Sequence, residues 1–316
     1  HELVTGEALK NSSFKTFVDS WLSKKEVEVS ESTMAFYRKS VSKFTTYLGD
    51  RVDEEMTEIT ADDITKFRNA EAKRVTATTV NHSLKFLRML FRSAIQERII
   101  AENPTEFVKT AKKTQSTGRR PFTIKELQRV LRVADAEWKS MILFGFYTGQ
   151  RLGDIARLKW SNVDLAGGKL RLTTQKTAKT LILPIAKHLQ GQLVPLSKAA
   201  KPDSPIHPKA FKVLEQNKLT ASLSNQFADL LAKAGLRDKV SHKATKNGRS
   251  GTRDSSQSLS FHCLRHTAVT LLKDAGLPAA SVMEFVGHDS EQMSQHYTHV
   301  GDDALKKVAD AFPKLL

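Results

Sequence analysis

Four separated stretches of the chain hold side chains suited to chemistry at a phosphorus centre. "TGQRLGDIARLKW" sets Arg151 near a helix start, just after the helix-breaking Gly149, with Asp154 three residues on and able to orient its guanidinium. "FHCLRHTAVTLL" puts His262 and Arg265 at i and i+3, on one helical face, with Leu264, Ala268, Leu271 and Leu272 available to anchor that helix in a core. "QKTAKTLILP" carries Lys176 on a hairpin, and "FVGHDSEQMSQHYTHV" brings His288 and, nine positions later, Tyr297 beside His296 and His299. Guanidiniums offer fixed forks to the nonbridging oxygens of a phosphodiester as its phosphorus turns pentacoordinate, and imidazoles give hydrogen bonds or protons. A phenol with a pKa near 10 needs about 4 kcal/mol to supply phenolate at pH 7, a cost that surrounding cations lower. Tyr37, Tyr47 and Tyr147 sit in apolar-periodic helical context where packing explains them, and Tyr297 does not.

Charge and size fit that chemistry. A formal net charge of +16 and a pI near 9.8 draw in a polyanion by releasing its condensed counterions, which favours nucleic acid over a membrane-surface role or a non-binding basic protein. No apolar run of about 18 residues is present to span a bilayer. The lone cysteine, Cys263, excludes an internal disulfide, and no charged-then-apolar leader opens the chain, so a cytoplasmic, nucleoid-associated setting is expected. An opening His1 in place of methionine suggests that further sequence precedes it.

With 316 residues there is room for two domains, each with its own core. Residues 1–11 read as an N-terminal extension, 12–108 as a helical domain, 109–122 as a basic linker and 123–316 as a second, α+β domain. Segments beginning at Ser12, Ser30, Thr60 and Thr76 each open on a Ser or Thr cap, which predicts four helices. In the last of these, Leu84, Leu87, Phe91, Ala94 and Ile95 form the buried stripe, and Asn81, Lys85, Arg92 and Gln96 gather on a face that could lie on phosphates or simply face solvent. The linker's Lys109, Lys112, Lys113, Arg119 and Arg120, with no acidic residue among them, could track a duplex backbone. Further on, alternation at Leu170 and Leu172, a turn at Thr177 to Lys179 and a run back to Pro184 predict a hairpin. Residues 237–258, Gly- and Ser-rich, predict a mobile loop that nucleic acid could order. The expected fold is mainly α with a small antiparallel β-sheet.

Taken in order along residues 120–300, these four motifs resemble the tyrosine recombinases, the phage-type integrases, and the preceding helical domain resembles that family's core-binding domain. The resemblance implies a site-specific enzyme that cleaves and rejoins double-stranded DNA at recombination sites through a 3′-phosphotyrosyl bond, without ATP, metal or other cofactor. It implies Tyr297 as nucleophile, Arg151 and Arg265 as phosphate clamp, and Lys176 as the acid for the leaving 5′ oxygen, preferred over Lys179 because Thr177 follows it. His262 is implied as acid/base helper, His288 as a second phosphate-bonding histidine and Asp154 as support. A tetramer on two DNA sites is implied, with a tail helix bearing Leu305, Val308, Ala309 and Phe312 docking on a neighbour; packing within its own domain is the alternative. Rival readings are a type IB topoisomerase and a non-catalytic DNA-binding protein of the same fold. A zinc site built on His262, His266 and Cys263 is disfavoured, because the glutamate of His-Glu-x-x-His is missing and only one cysteine exists.

Overall fold

The computed structural model describes residues 9–112, 119–175, 178–198, 200–217, 219–239, 244–245, 248–249, 259–287 and 302–315. The chain divides into two compact units, His1–Ser116 and Thr117–Leu316.

In the first unit, α1 (Phe14–Glu26), α2 (Glu31–Leu48), α3 (Ala61–Ala72) and α4 (Ala77–Gln96) begin at the expected hydroxyl caps. Ser13, Ser30, Thr60 and Thr76 each accept from a backbone N–H three residues on, and Thr60 completes a capping box with Asp63. The core between these helices is aromatic: Trp21 meets Phe86 edge-on at 5.9 Å, and Phe44 meets Phe67 at 5.1 Å. On α4 the stripe of Leu84, Leu87, Phe91 and Ala94 is buried as the spacing predicts, Ile95 lies at its margin, and Lys85 and Arg92 are exposed. The chain leaving this unit is fastened to it. Arg88 donates to the Val108 carbonyl (2.7 Å), Arg68 to the Lys109 carbonyl (2.7 Å), and the Asn81 amide exchanges two bonds with the Ala111 backbone (3.0 and 2.8 Å).

The second unit opens with α5 (Ile124–Val133), started by a capping box between Thr123 and Glu126. Next comes α6 (Ala136–Thr148), buried on nearly every side and therefore the central helix of this core. A short α7 (Leu152–Ala156) leads into a three-stranded antiparallel sheet of β1 (Val163–Asp164), β2 (Lys169–Thr173) and β3 (Thr180–Pro184). The β2–β3 hairpin pairs Leu170 with Leu183 and Leu172 with Leu181, all four buried on one face. Then follow α8 (Lys187–Ser197), α9 (Pro208–Asn217) and α10 (Ala221–Lys233). In the stretch expected to be a mobile loop, two-residue strands β4 (Ala244–Thr245) and β5 (Gly248–Arg249) pair antiparallel, and most of the remainder lies outside the described residues. α11 (His262–Asp274) packs on α6, α12 (Ala279–Val286) packs on α11, and α13 (Asp302–Asp310) packs on α12 and β3. The architecture is mainly helical with small antiparallel sheets, as the sequence indicates. Among the described residues, no helix is long and apolar enough to cross a membrane.

Candidate active site

The site is built where α6 ends. Gly149 closes that helix in the left-handed conformation (φ 64°), and a Cβ there would come within 2.7 Å of Val286 Cγ1, so backbone shape and the close approach of α12 both require glycine. Two residues later Arg151 caps α7 from an extended conformation. Its Nη1 is buried and has no hydrogen-bond partner among the described residues. Arg265 reaches the same place from α11, only 3% exposed, with Nη1 donating to the Gly149 carbonyl at 3.0 Å and to the Val286 carbonyl. One guanidinium thereby ties the Arg151 loop to the last turn of α12, directly before Gly287 and His288. Buried Gln150 adds to the joint, its Nε2 donating to the carbonyls of Thr148 (3.1 Å), Phe285 and Val286 (3.4 Å each).

His262 begins α11. Burial is the main cause that pushes its pKa down to about 4, and the positive fields of His266, Arg119, Arg265 and Arg151 add to it, so the imidazole is neutral at pH 7. His266 lies edge-on to it at 5.0 Å and is lowered as well, first by burial and then by Arg119 and Arg265. A neutral imidazole amid guanidiniums can accept a proton or donate one hydrogen bond, while the cationic donors around it suit an anionic group.

The carboxylate of Asp154, 7% exposed, departs from the expected geometry. It makes no ion pair with Arg151 among the described residues; its Oδ1 accepts the backbone N–H of Gln175 at 3.0 Å, which holds the hairpin turn against α7. The reason is local: Asp154 sits within a buried turn of α7 whose neighbouring strand end presents an otherwise unpaired N–H. That turn is tightened by Thr174 N–H donating to the Lys179 carbonyl and Ala178 N–H to the Thr174 carbonyl, both at 2.9 Å, with Ala178 at φ 52°.

A model of the phage integrase family matches residues 120–303, and one of the phage integrase SAM-like domain matches residues 13–113. The chain belongs to the phage integrase family. It is thus a tyrosine-type site-specific recombinase. Among curated relatives of this integrase, tyrosine recombinase XerC of Bacillus licheniformis is 26% identical over 299 residues, 90% of each chain. The putative prophage phiRv2 integrase of Mycobacterium tuberculosis is 23% identical over 315 residues, covering 96% of this chain and 78% of the other. In fold it resembles lambda integrase residues 75–356, solved as a dimer bound to a COC′ core site, with TM-score 0.70, 17% identity and coverage of 92% of this chain and 100% of that one.

Of the residues singled out from sequence, the integrase fold brings Arg151, His262 and Arg265 together and sets Asp154 behind the hairpin. Lys176, His288, Tyr297 and Lys113 lie outside the described residues. Lys85, Arg92, Lys112 and Arg119 are exposed. Arg120 is engaged by Glu126 through a two-pronged ion pair (2.8 and 2.6 Å). Sequence reasoning missed Gln150, whose place inside "TGQR" was the available signal, and Thr267. The Thr267 hydroxyl donates to the Cys263 carbonyl (2.7 Å) and accepts the Phe122 N–H (2.8 Å), fastening the start of this unit to α11.

Proposed function

We propose that this integrase cuts and reseals double-stranded DNA at specific recombination sites through a 3′-phosphotyrosyl intermediate on Tyr297. The phenolate oxygen of Tyr297 attacks the scissile phosphorus as the bond to the 5′ oxygen breaks, and Lys176 gives that leaving oxygen its proton. Arg151 and Arg265 hold the nonbridging oxygens, His262 in its neutral form takes up or returns a proton, and His288 hydrogen-bonds the phosphate. Asp154 supports the site through the hairpin that carries Lys176. The new ester keeps the energy of the broken bond, so a 5′ hydroxyl from another strand reseals the DNA by the reverse step, and neither ATP nor a metal is required.

The observation that carries this reading is the junction at Gly149 and Val286. There Arg265 is bonded to the loop bearing Arg151, in a unit where His262 lies within the field of both guanidiniums. Lambda integrase has been solved as a tetramer bound to a Holliday junction, a structure that shares this fold with a TM-score of 0.68 and 17% identity; we extend tetrameric assembly on two DNA sites to this chain. The helical unit 12–108 serves as the core-binding domain, with Lys85 and Arg92 on phosphates, joined to the catalytic domain 123–316 by the linker 109–122.

The test is incubation with DNA carrying a nick opposite the cleavage position, so that the covalent product is trapped, followed by denaturing electrophoresis and mapping of the adduct. The wild-type chain should give an adduct at Tyr297 on a 3′ phosphate, formed in excess chelator, and Tyr297→Phe should bind DNA with no adduct. An adduct on a 5′ phosphate, or one that survives Tyr297→Phe, would sink the reading.

A further inference from the structure

α6 and α7 meet at an elbow, residues 149–151, whose angle decides where Arg151 is aimed. With five residues α7 is too short to hold its own direction, so that direction must come from tertiary bonds. His207, from a third segment, supplies them. The imidazole is fully buried, its Nε2 2.9 Å from Ser140 Oγ in the middle of α6, its Nδ1 3.2 Å from the Ile155 carbonyl in α7, and its ring edge-on to Phe144 at 5.3 Å. A carbonyl only accepts, so Nδ1 carries the proton and Nε2 accepts from the Ser140 hydroxyl. One rigid ring therefore bonds to both arms of the elbow. The backbone leading up to His207 runs alongside the chain after α7, with Ile206 N–H donating to the Leu158 carbonyl (2.9 Å) and Trp160 N–H to the Ser204 carbonyl (3.1 Å). Just beyond, Glu137 of α6 accepts the N–H groups of Lys209 (3.2 Å) and Ala210 (2.7 Å) at the start of α9.

We propose that His207 is a positioning residue for Arg151, acting through the Ile155 carbonyl to fix the direction of α7 and hence the aim of the guanidinium at the scissile phosphate. An apolar side chain would fill the same space without desolvating a polar ring; what the imidazole adds is two directional bonds to the two helices. The inference rests on the role proposed above for Arg151.

The test measures single-turnover covalent-complex formation on nicked DNA at saturating concentration, with DNA affinity and cooperative melting recorded for each variant. His207→Leu should form the adduct on the order of 10-fold to 100-fold more slowly, as displacement of a catalytic group by a fraction of an ångström does, with DNA affinity unchanged. His207→Asn, whose amide nitrogen sits where Nδ1 does, should recover most of that rate, and Ser140→Ala should fall between. In an Arg151→Lys background His207→Leu should cost little more, because the group it aims has already been altered. If His207→Leu fails to melt cooperatively, Ser140→Ala is carried through the same cycle in its place. A wild-type rate in His207→Leu, or in Ser140→Ala where His207→Leu does not fold, or the same fold-loss in both backgrounds, overturns the inference while leaving the role of Arg151 standing. Absence of adduct from the wild-type chain overturns both.

Discussion

Arg151 and Arg265 bring the same charge into the site but differ in the backbone bonds they make. Arg265 satisfies two buried carbonyls, those of Gly149 and Val286, whereas Arg151 holds a buried Nη1 with no partner among the described residues. Arg265→Ala should therefore destabilise the fold by about 1–3 kcal/mol, because the buried Gly149 carbonyl loses its guanidinium donor and the Val286 carbonyl keeps only the 3.4 Å bond from Gln150. Arg151→Ala should leave the melting temperature unchanged or raise it. Both should abolish adduct formation, so thermal melts beside adduct gels separate the two; equal falls in Tm would refute the distinction. His207 gives a second prediction at this level. Burial pushes its pKa down to about 4 from 6.5, while the Ile155 carbonyl opposes that shift. A histidine lowered on folding binds fewer protons folded than unfolded between those values, so stability is full above pH 6.5 and falls as pH drops towards 4, by about 3 kcal/mol in all. Below that, Glu126, lowered to about 2 by its bond to Arg120, makes stability fall again from pH 4.5 downward. Denaturant unfolding at pH 7.5 and 4.5 should show a loss in the wild type that His207→Asn reduces, the part that remains coming from His262 and His266, whose pKa values are lowered as well.

The C-terminal helix α13 buries Leu305, Val308 and Ala309, and the residues after it bury Phe312 and Leu315, all in the core of their own unit. The Tyr147 hydroxyl fastens that segment, donating to the Pro313 carbonyl and accepting the Leu315 N–H, each at 3.2 Å. Docking on a neighbouring protomer thus requires the tail to leave a packed site first. Tyr147→Phe removes both bonds without changing shape, at about 1–2 kcal/mol, and should speed amide exchange over residues 302–315 far more than over α6. If the tail exchanges between protomers, the same variant should raise tetramer yield on DNA; faster tail exchange with no gain in tetramer would argue against such a swap. The spacing of Leu305, Val308 and Phe312 made an apolar helical face legible in the sequence, but periodicity cannot say whose core that face fills. The same limit explains Asp154. Its distance in sequence from Arg151 is visible, whereas its bond to Gln175 depends on how a hairpin 21 residues away lies against α7. The hydroxyl caps at Ser13, Ser30, Thr60 and Thr76 and the alternation at Leu170 and Leu172 were legible because each acts within a few residues of itself. His207 gave no such signal, since its partners in α6 and α7 lie 67 and 52 residues away.

A net charge of +16 makes DNA affinity depend steeply on salt, and the slope counts the cations that displace counterions. The linker's basic residues are not equivalent in this respect. Lys112 and Arg119 are exposed, whereas Arg120 is paired with Glu126 at the capping box that starts α5. A guanidinium already neutralised by a forked carboxylate has little to gain from a phosphate, and leaving Glu126 for one would strip the cap of its cation. Replacing Lys112 or Arg119 by Gln should therefore lower the magnitude of the slope of log K against log salt by about 0.9 for each phosphate that is no longer neutralised, with Tm unchanged. Arg120→Gln should leave the slope as it is and lower Tm instead, and it should bring the Glu126 pKa back towards 4.5, so that the fall in stability below pH 4.5 becomes shallower. Lys85→Gln and Arg92→Gln on α4 make the companion measurement for the helical unit. Filter binding or fluorescence anisotropy over a salt series, with melts of the same samples, reads all of these together. A slope reduced as much by Arg120→Gln as by Arg119→Gln would mean that DNA draws Arg120 away from Glu126, and that the start of α5 rearranges when the duplex is bound.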